Sequence, residues 1–121
     1  MKQNLVYDKS FKFATRIVNL YKYLNKEKKE FILSKQILRS GTSIGANINE
    51  AIQSSSKRDF LMKMNIALKE SSETQYWLKL LKETGYITEK AFESIFDECK
   101  QLNNLLVSIV KTTKEKLRIE K

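Results

Sequence analysis

Proline is absent from this chain, and glycine occurs only three times, at positions 41, 45 and 85. A polypeptide so short of turn formers has few places to reverse direction. A small number of long helices is therefore favoured over many short strands. At 121 residues the expectation is one domain, 1–121, long enough to bury roughly two thirds of its unfolded surface.

Apolar periodicity locates four helices, at about 8–25, 35–54, 57–84 and 89–117. In the first, Phe13, Ala14, Ile17, Leu20, Tyr21 and Leu24 share one side, and Lys9, Lys12, Arg16, Tyr23 and Lys26 share the other. The charged run NKEKKE (25–30) forms a solvated connection, and Ser34 is read as the cap of helix two. The second stripe is Ile37, Gly41, Ile44, Ile48, Ala51/Ile52 and Ser55. Ser56 with Asp59 makes a capping box for helix three, which Gly85 ends by accepting a left-handed backbone. Thr88 caps helix four, whose stripe runs Phe92, Ile95, Phe96, Cys99, Leu102, Leu106, Ile109/Val110 and Leu117. Short connections place successive helices antiparallel, so the fold class is all-α, an up-down-up-down four-helix bundle.

Helix three is apolar on two sides. Phe60, Met64, Ala67, Ser71, Thr74, Leu78 and Leu81 form one face; Met62, Ile66, Glu73, Trp77 and Leu80 form another. Two apolar faces need two sets of partners. The second set belongs either to a central position within the bundle or to a subunit interface in a homo-oligomer.

Stretch 43–51, SIGANINEA, places poor helix formers inside helix two. Gly41 and Gly45 fall about 40° apart on the helical wheel and flank the isoleucine stripe. A missing side chain there lets a neighbouring helix approach closely, which offsets the glycine penalty.

The site chemistry is bounded by what is missing. There is no histidine, which removes the commonest general base and the histidine-activated nucleophiles. Glu50, Glu70 and Glu73 invite comparison with di-iron bundles, but those also require histidine ligands. A metal–carboxylate enzyme is accordingly disfavoured, and no metal or cofactor is expected. For Glu73, among apolar neighbours, an ion pair with Arg39 or a hydrogen bond from a tyrosine is the simpler reading. Stretch 41–45, GTSIG, lacks the lysine and strand context of a phosphate-binding loop. Cys99 is a core residue by position, and a single cysteine forms no internal disulfide. No apolar run reaches the ~18 residues of a membrane span, and no signal-peptide core is present, so a cytoplasmic protein without membrane contact is expected.

The +9 net charge is concentrated. Residues 1–40 carry ten Lys/Arg against Asp8, Glu27 and Glu30, whereas residues 41–80 and 81–121 are each within one charge of neutrality. Lys9, Lys12, Arg16 and Lys26 repeat along helix one with Tyr23 interleaved, and Lys28, Lys29, Lys35 and Arg39 continue the series into helix two. Such a surface neutralises phosphates with little base selectivity, and an exposed tyrosine adds stacking. RNA, DNA and an acidic protein partner all fit it.

Several ordered strings are specific. TSIGANINEA (42–51) and KRDFLMKMNIALKESSETQYWLKLL (57–81), with Gly85 beyond, closely resemble the bacterial 23S rRNA-intervening-sequence protein family, also called the four-helix bundle protein family. Asn49 departs from it, standing where an acidic residue is frequent. The resemblance implies an antiparallel four-helix bundle, assembly as a homopentamer and no known catalytic residues. Some relatives are encoded inside insertions of ribosomal RNA genes. A more distant one, the basic pentameric accessory protein of diversity-generating retroelements, engages a reverse transcriptase and nucleic acid. The expectation is thus a non-enzymatic homo-oligomer binding RNA or DNA electrostatically, with an interaction scaffold or accessory subunit for a nucleic-acid enzyme as the alternative.

Overall fold

Four helices account for nearly all of residues 2–120, which a computed structural model describes: α1 (Lys2–Lys26), α2 (Leu33–Ile52), α3 (Lys57–Glu83) and α4 (Glu89–Glu120). They pack in a ring in which α1 touches α2 and α4, and α3 touches α2 and α4. Paired residues give the sense of each seam. Ser34 meets Asn25 while Gly41 meets Ile17, Glu50 meets Lys63 while Arg39 meets Glu73, and Asn103 meets Ser71 while Glu89 meets Lys82. Lys9 meets Gln101 while Arg16 meets Ser94. All four neighbouring pairs therefore run antiparallel.

The apolar stripes meet in one core. Phe13, Ile17, Leu24, Ile37, Ile44, Ile48, Met64, Leu78, Leu81, Leu102 and Leu106 are fully buried. Each buried side chain of this size contributes roughly 1.5–3 kcal/mol on leaving water. α1 begins at Lys2 rather than near Asp8. The reason is Val6, which extends the stripe seven residues ahead of Phe13 and is itself completely buried. α2 ends at Ile52, so Ser55 lies beyond the helix, and Ile52 is exposed where Ala51 is buried.

Small hydroxyls are also interior: Ser10, Ser40, Ser71 and Thr74 are fully buried. Ser10 Oγ donates to Tyr7 O at 2.7 Å and Ser71 Oγ to Leu68 O at 2.7 Å, while the Thr74 and Ser40 hydroxyls bond across α2 and α3 at 3.0 Å. Among the described residues no buried side-chain polar atom lacks a partner, so these groups avoid the penalty for unpaired burial. Cys99 Sγ lies 3.5 Å from Ser71 O, and burial pushes its thiol pKa up to about 12, far from the range of a reactive thiolate.

The helix ends show what stops and starts each element. Ser56 accepts from Asp59 N at 3.1 Å and Thr88 from Ala91 N at 3.1 Å. Gly85, at φ +83°, closes α3: its own N–H reaches Lys82 O at 3.1 Å and the Tyr86 N–H reaches Leu81 O at 2.9 Å, the paired bonds of a left-handed helix stop. Ser34 is not the cap of α2. It lies buried within the first turn, and its hydroxyl donates to Glu30 O at 2.9 Å. The capping is done from outside the helix by the Glu30 carboxylate, which accepts from the N–H groups of Ile32, Leu33 and Ser34 at 3.2, 3.0 and 2.8 Å. Burial raises the Glu30 carboxyl pKa and is the largest single influence. The three backbone bonds and a contribution from the Ser34 side chain together outweigh it, so the net shift is downward.

The glycines of α2 differ in what they permit. A Cβ at Gly41 would meet Ile17 Cγ1 at 2.8 Å and Cγ2 at 2.9 Å, whereas one at Gly45 would meet Ser10 Oγ at 3.2 Å. Ile17 is fully buried, and a Cβ at Gly41 would meet three of its side-chain carbons at 3.0 Å or less, so its side chain would have to shift within a packed core. Gly41→Ala should therefore lower stability by about 1–2 kcal/mol, because overpacking exceeds the gain in helix propensity. Gly45→Ala should lie within about 0.5 kcal/mol of wild type, since a shift of a few tenths of an ångström is offset by that same gain. Urea denaturation measures both, and equal effects would refute the assignment of Gly41 as the contact point.

Glu30→Gln should cost about 1 kcal/mol at neutral pH, as loss of a helix cap does. The folded carboxyl titrates below its ordinary 4.5. Its stabilisation is thus complete above that pH and is lost as pH falls through the folded value. Denaturation at stepped pH should show a shallower acid-side decline for the variant; identical slopes would contradict the charged cap.

Candidate nucleic-acid interface

Folding distributes the nine candidate contact residues over three places. Lys9, Lys12 and Arg16 lie along the α1–α4 seam. There the cationic side of α1 runs beside acidic groups, because α4 supplies Glu93, Asp97 and Glu98 along the same groove of about 730 Å³, together with Lys90, while Lys12 itself stays exposed. Lys9 Nζ donates to Gln101 Oε1 at 3.3 Å, and Arg16 Nη1 reaches Ser94 Oγ and pairs with Glu98, each at 3.1 Å. Much of that charge is answered locally. A wheel drawn for one helix does not reveal the carboxylates of its neighbour.

Arg39 lies on a different seam, between α2 and α3. Its guanidinium bonds Glu70 Oε2 at 3.1 Å and also pairs with Glu73. Trp77 Nε1 donates to the same Glu73 oxygen at 3.0 Å. The Trp77 bond, with the hydrogen bond and charge of Arg39, holds the Glu73 carboxyl below its usual range despite partial desolvation. The Glu73 bond in turn raises the arginine further. Arg39 is thus committed to holding α2 against α3. Glu50, exposed, pairs with Lys63 at 2.9 Å. Among the described residues no cluster of three or more His, Cys, Asp or Glu is arranged to hold a metal ion.

The third place is the α1–α2 connection with the turns on either side of it. Lys26, Lys28, Lys29 and Lys35 are exposed, and none makes an ion pair with a described residue. Of the acids nearby, Glu30 has its carboxylate turned onto the backbone of α2, leaving Glu27 as the exposed counter-charge. Tyr23, also exposed, stands at an apolar groove of about 350 Å³ between α1 and α4, lined by Leu20, Ile87, Ala91 and Ile95. Among the nine candidates, the structure therefore separates Arg39 from the rest and leaves the lysines of the connection as the most available positive charge.

The second apolar face of α3 points outward beside Arg39. Met62 is 57% exposed and Ile66 37%; Trp77 and Leu80 are half-buried. Tyr76, exposed, packs edge-on against Trp77 with ring centroids 5.0 Å apart. The sequence reading missed two exposed apolar residues in the connection itself, Phe31 and Ile32. Their signal was present: two large apolar side chains following a solvated charged run.

No helix among the described residues is long and apolar enough to cross a membrane. The model of the 23S rRNA-intervening sequence protein family matches residues 2–108. The chain is also similar to a crystal structure of a protein with unknown function from the S23 ribosomal protein family of Bacteroides thetaiotaomicron VPI-5482. The two superpose with a TM-score of 0.90 and 62% sequence identity, over 92% of this chain and 99% of that one. No curated sequence matches.

Proposed function

The chain belongs to the 23S rRNA-intervening sequence protein family, and from that premise we propose that it is a non-enzymatic, homo-oligomeric helical bundle that binds RNA or DNA by electrostatic attraction. The observation that carries this reading is a group of exposed lysines that make no ion pair with a described residue: Lys12 on α1, with Lys26, Lys28, Lys29 and Lys35 clustered around the connection. Each can replace a counterion on a phosphate, and release of those counterions drives association. No recognised base-reading motif accompanies them, so binding is weakly selective for sequence.

Self-association is supported by the outward face of α3. Met62 and Ile66 expose apolar area beside the half-buried Trp77 and Leu80, and the Arg39–Glu73 pair borders it with charge. A second copy of the chain covering this face would remove it from water, and the family resemblance makes a pentamer the expected size. The same face offers a landing surface to another protein, which is the basis of the alternative reading as an accessory subunit for a nucleic-acid enzyme.

Two measurements test the proposal. Charge reversal at Lys12, Lys26, Lys28 and Lys29 should weaken binding to RNA and DNA by about tenfold or more at moderate salt without changing thermal stability, since none of these lysines is ion-paired with a described residue; unchanged affinity would refute this surface. In light scattering the wild-type protein should have a mass that is a multiple of 14.2 kDa. Met62→Lys combined with Ile66→Lys should reduce it toward one chain with the helical content intact. A strictly monomeric wild type at micromolar concentration would sink the oligomer.

A further inference from the structure

Phe31 and Ile32, in the α1–α2 connection, are 52% and 76% exposed. Exposing two adjacent large apolar side chains is unfavourable unless something covers them in use. Among the described residues the Phe31 ring makes no aromatic or cation–π contact, whereas the other close aromatic pairs are Tyr7 with Phe11, Tyr76 with Trp77 and Phe92 with Phe96. Lys28 and Lys29 lie three and two residues before Phe31, with Glu30 between, and Lys35 follows about one helical turn after Ile32.

The backbone carrying these groups is not slack. Ahead of Phe31 the Glu30 N–H donates to Leu24 O at 3.0 Å, and after it the Glu30 carboxylate ties the amides of Ile32, Leu33 and Ser34. The segment is therefore pinned on both sides of Phe31, so little ordering entropy is lost when a ligand docks. The clamp also turns the Glu30 charge inward and away from the lysines. The result is an exposed aromatic ring on a tied backbone with three exposed lysines within four residues of it in the chain, the combination of residue types that recognises unstacked bases on a phosphate backbone.

We propose that the α1–α2 connection is a binding site for single-stranded nucleic acid, in which Phe31 stacks on a base while Lys28, Lys29 and Lys35 hold the adjoining phosphates. This rests on the nucleic-acid reading above and adds to it a preference for strand state. In a duplex the base faces are already stacked, so the ring has no partner there and only the lysines contribute. Ile32 extends the apolar contact at the edge of the stacked base.

The test is fluorescence anisotropy with a labelled single-stranded oligonucleotide and with the duplex of the same sequence. Phe31→Ala and Phe31→Leu should each weaken single-strand binding about tenfold, in the range for loss of one stacked base, while Phe31→Tyr retains it. Duplex binding should be unchanged in all three. Phe31→Trp should show quenching by the single strand beyond that of Trp77 in the wild type, a reading that does not depend on the truncated variants. Single-strand binding by Phe31→Leu equal to wild type would overturn the stack. So would Phe31-dependent binding to phosphatidylserine vesicles without a single-strand preference, which would assign the tip to an anionic lipid surface. If the wild type binds neither strand form, the broader nucleic-acid reading falls as well; if it binds both equally and Phe31→Ala changes nothing, only the stacking site falls.

Discussion

The start of α2 depends on one carboxylate. Glu30, outside the helix, accepts three backbone N–H groups that would otherwise be orphaned at the helix N-terminus. With the Glu30 N–H donating to Leu24 O, that bond set ties the end of α1 to the start of α2 and constrains the angle between them. It also places a negative charge against the positive end of the helix, a favourable arrangement in its own right. Because the carboxylate is spent in this way, the lysines around it are not neutralised by it. The structural role of Glu30 and the electrostatic character of the connection thus follow from a single interaction.

Once the angle is set, the distance between α1 and α2 is governed by Gly41 and Gly45. Gly41 leaves no room for even a methyl group against Ile17, and Gly45 brings α2 to the hydroxyl of Ser10. Close approach of these two helices is matched across the bundle by small polar residues, where Ser40 bonds Thr74 and Ser71 accepts from Asn103 at 2.7 Å. Tight seams of this kind bury hydroxyls with partners in place, and they keep the ring of four helices narrow. The outward face of α3 is left with exposed apolar area at Met62 and Ile66.

Much of this was legible in advance. A chain with no proline and periodic apolar stripes could hardly be anything but helical, and the residues assigned to the interior of α3 and α4 lie there: Met64, Leu78, Leu81, Cys99 and Leu106 are fully buried. The Arg39–Glu73 pair was also foreseeable, because a carboxylate among Ile66, Trp77 and Leu80 needs a cation. The misses share a physical cause: they depend on groups from outside the segment being read. Ser34 has the composition of a cap, but α2 already begins at Leu33, and Glu30 takes the amides of Ile32, Leu33 and Ser34 itself. Lys9 and Arg16 form an open cationic back only until α4 brings Gln101, Ser94 and Glu98 alongside. Arg39 lies one turn after Lys35 on nearly the same face of α2, but it stands level with Glu70 and Glu73 of α3, which take up its charge.

The candidate interface is therefore smaller than the sequence suggested and better defined. It consists of lysines around a pinned connection rather than a stripe along a whole helix. This makes its energetics simple, since exposed and unpaired cations act on phosphate through counterion release and little else. The most direct measurement is the affinity of the wild-type protein for a single-stranded RNA across a series of salt concentrations. With about four lysines engaged per chain, log K should fall linearly with log salt, with a slope of about −3 per chain. A flat dependence, or no binding at low salt, would contradict the account.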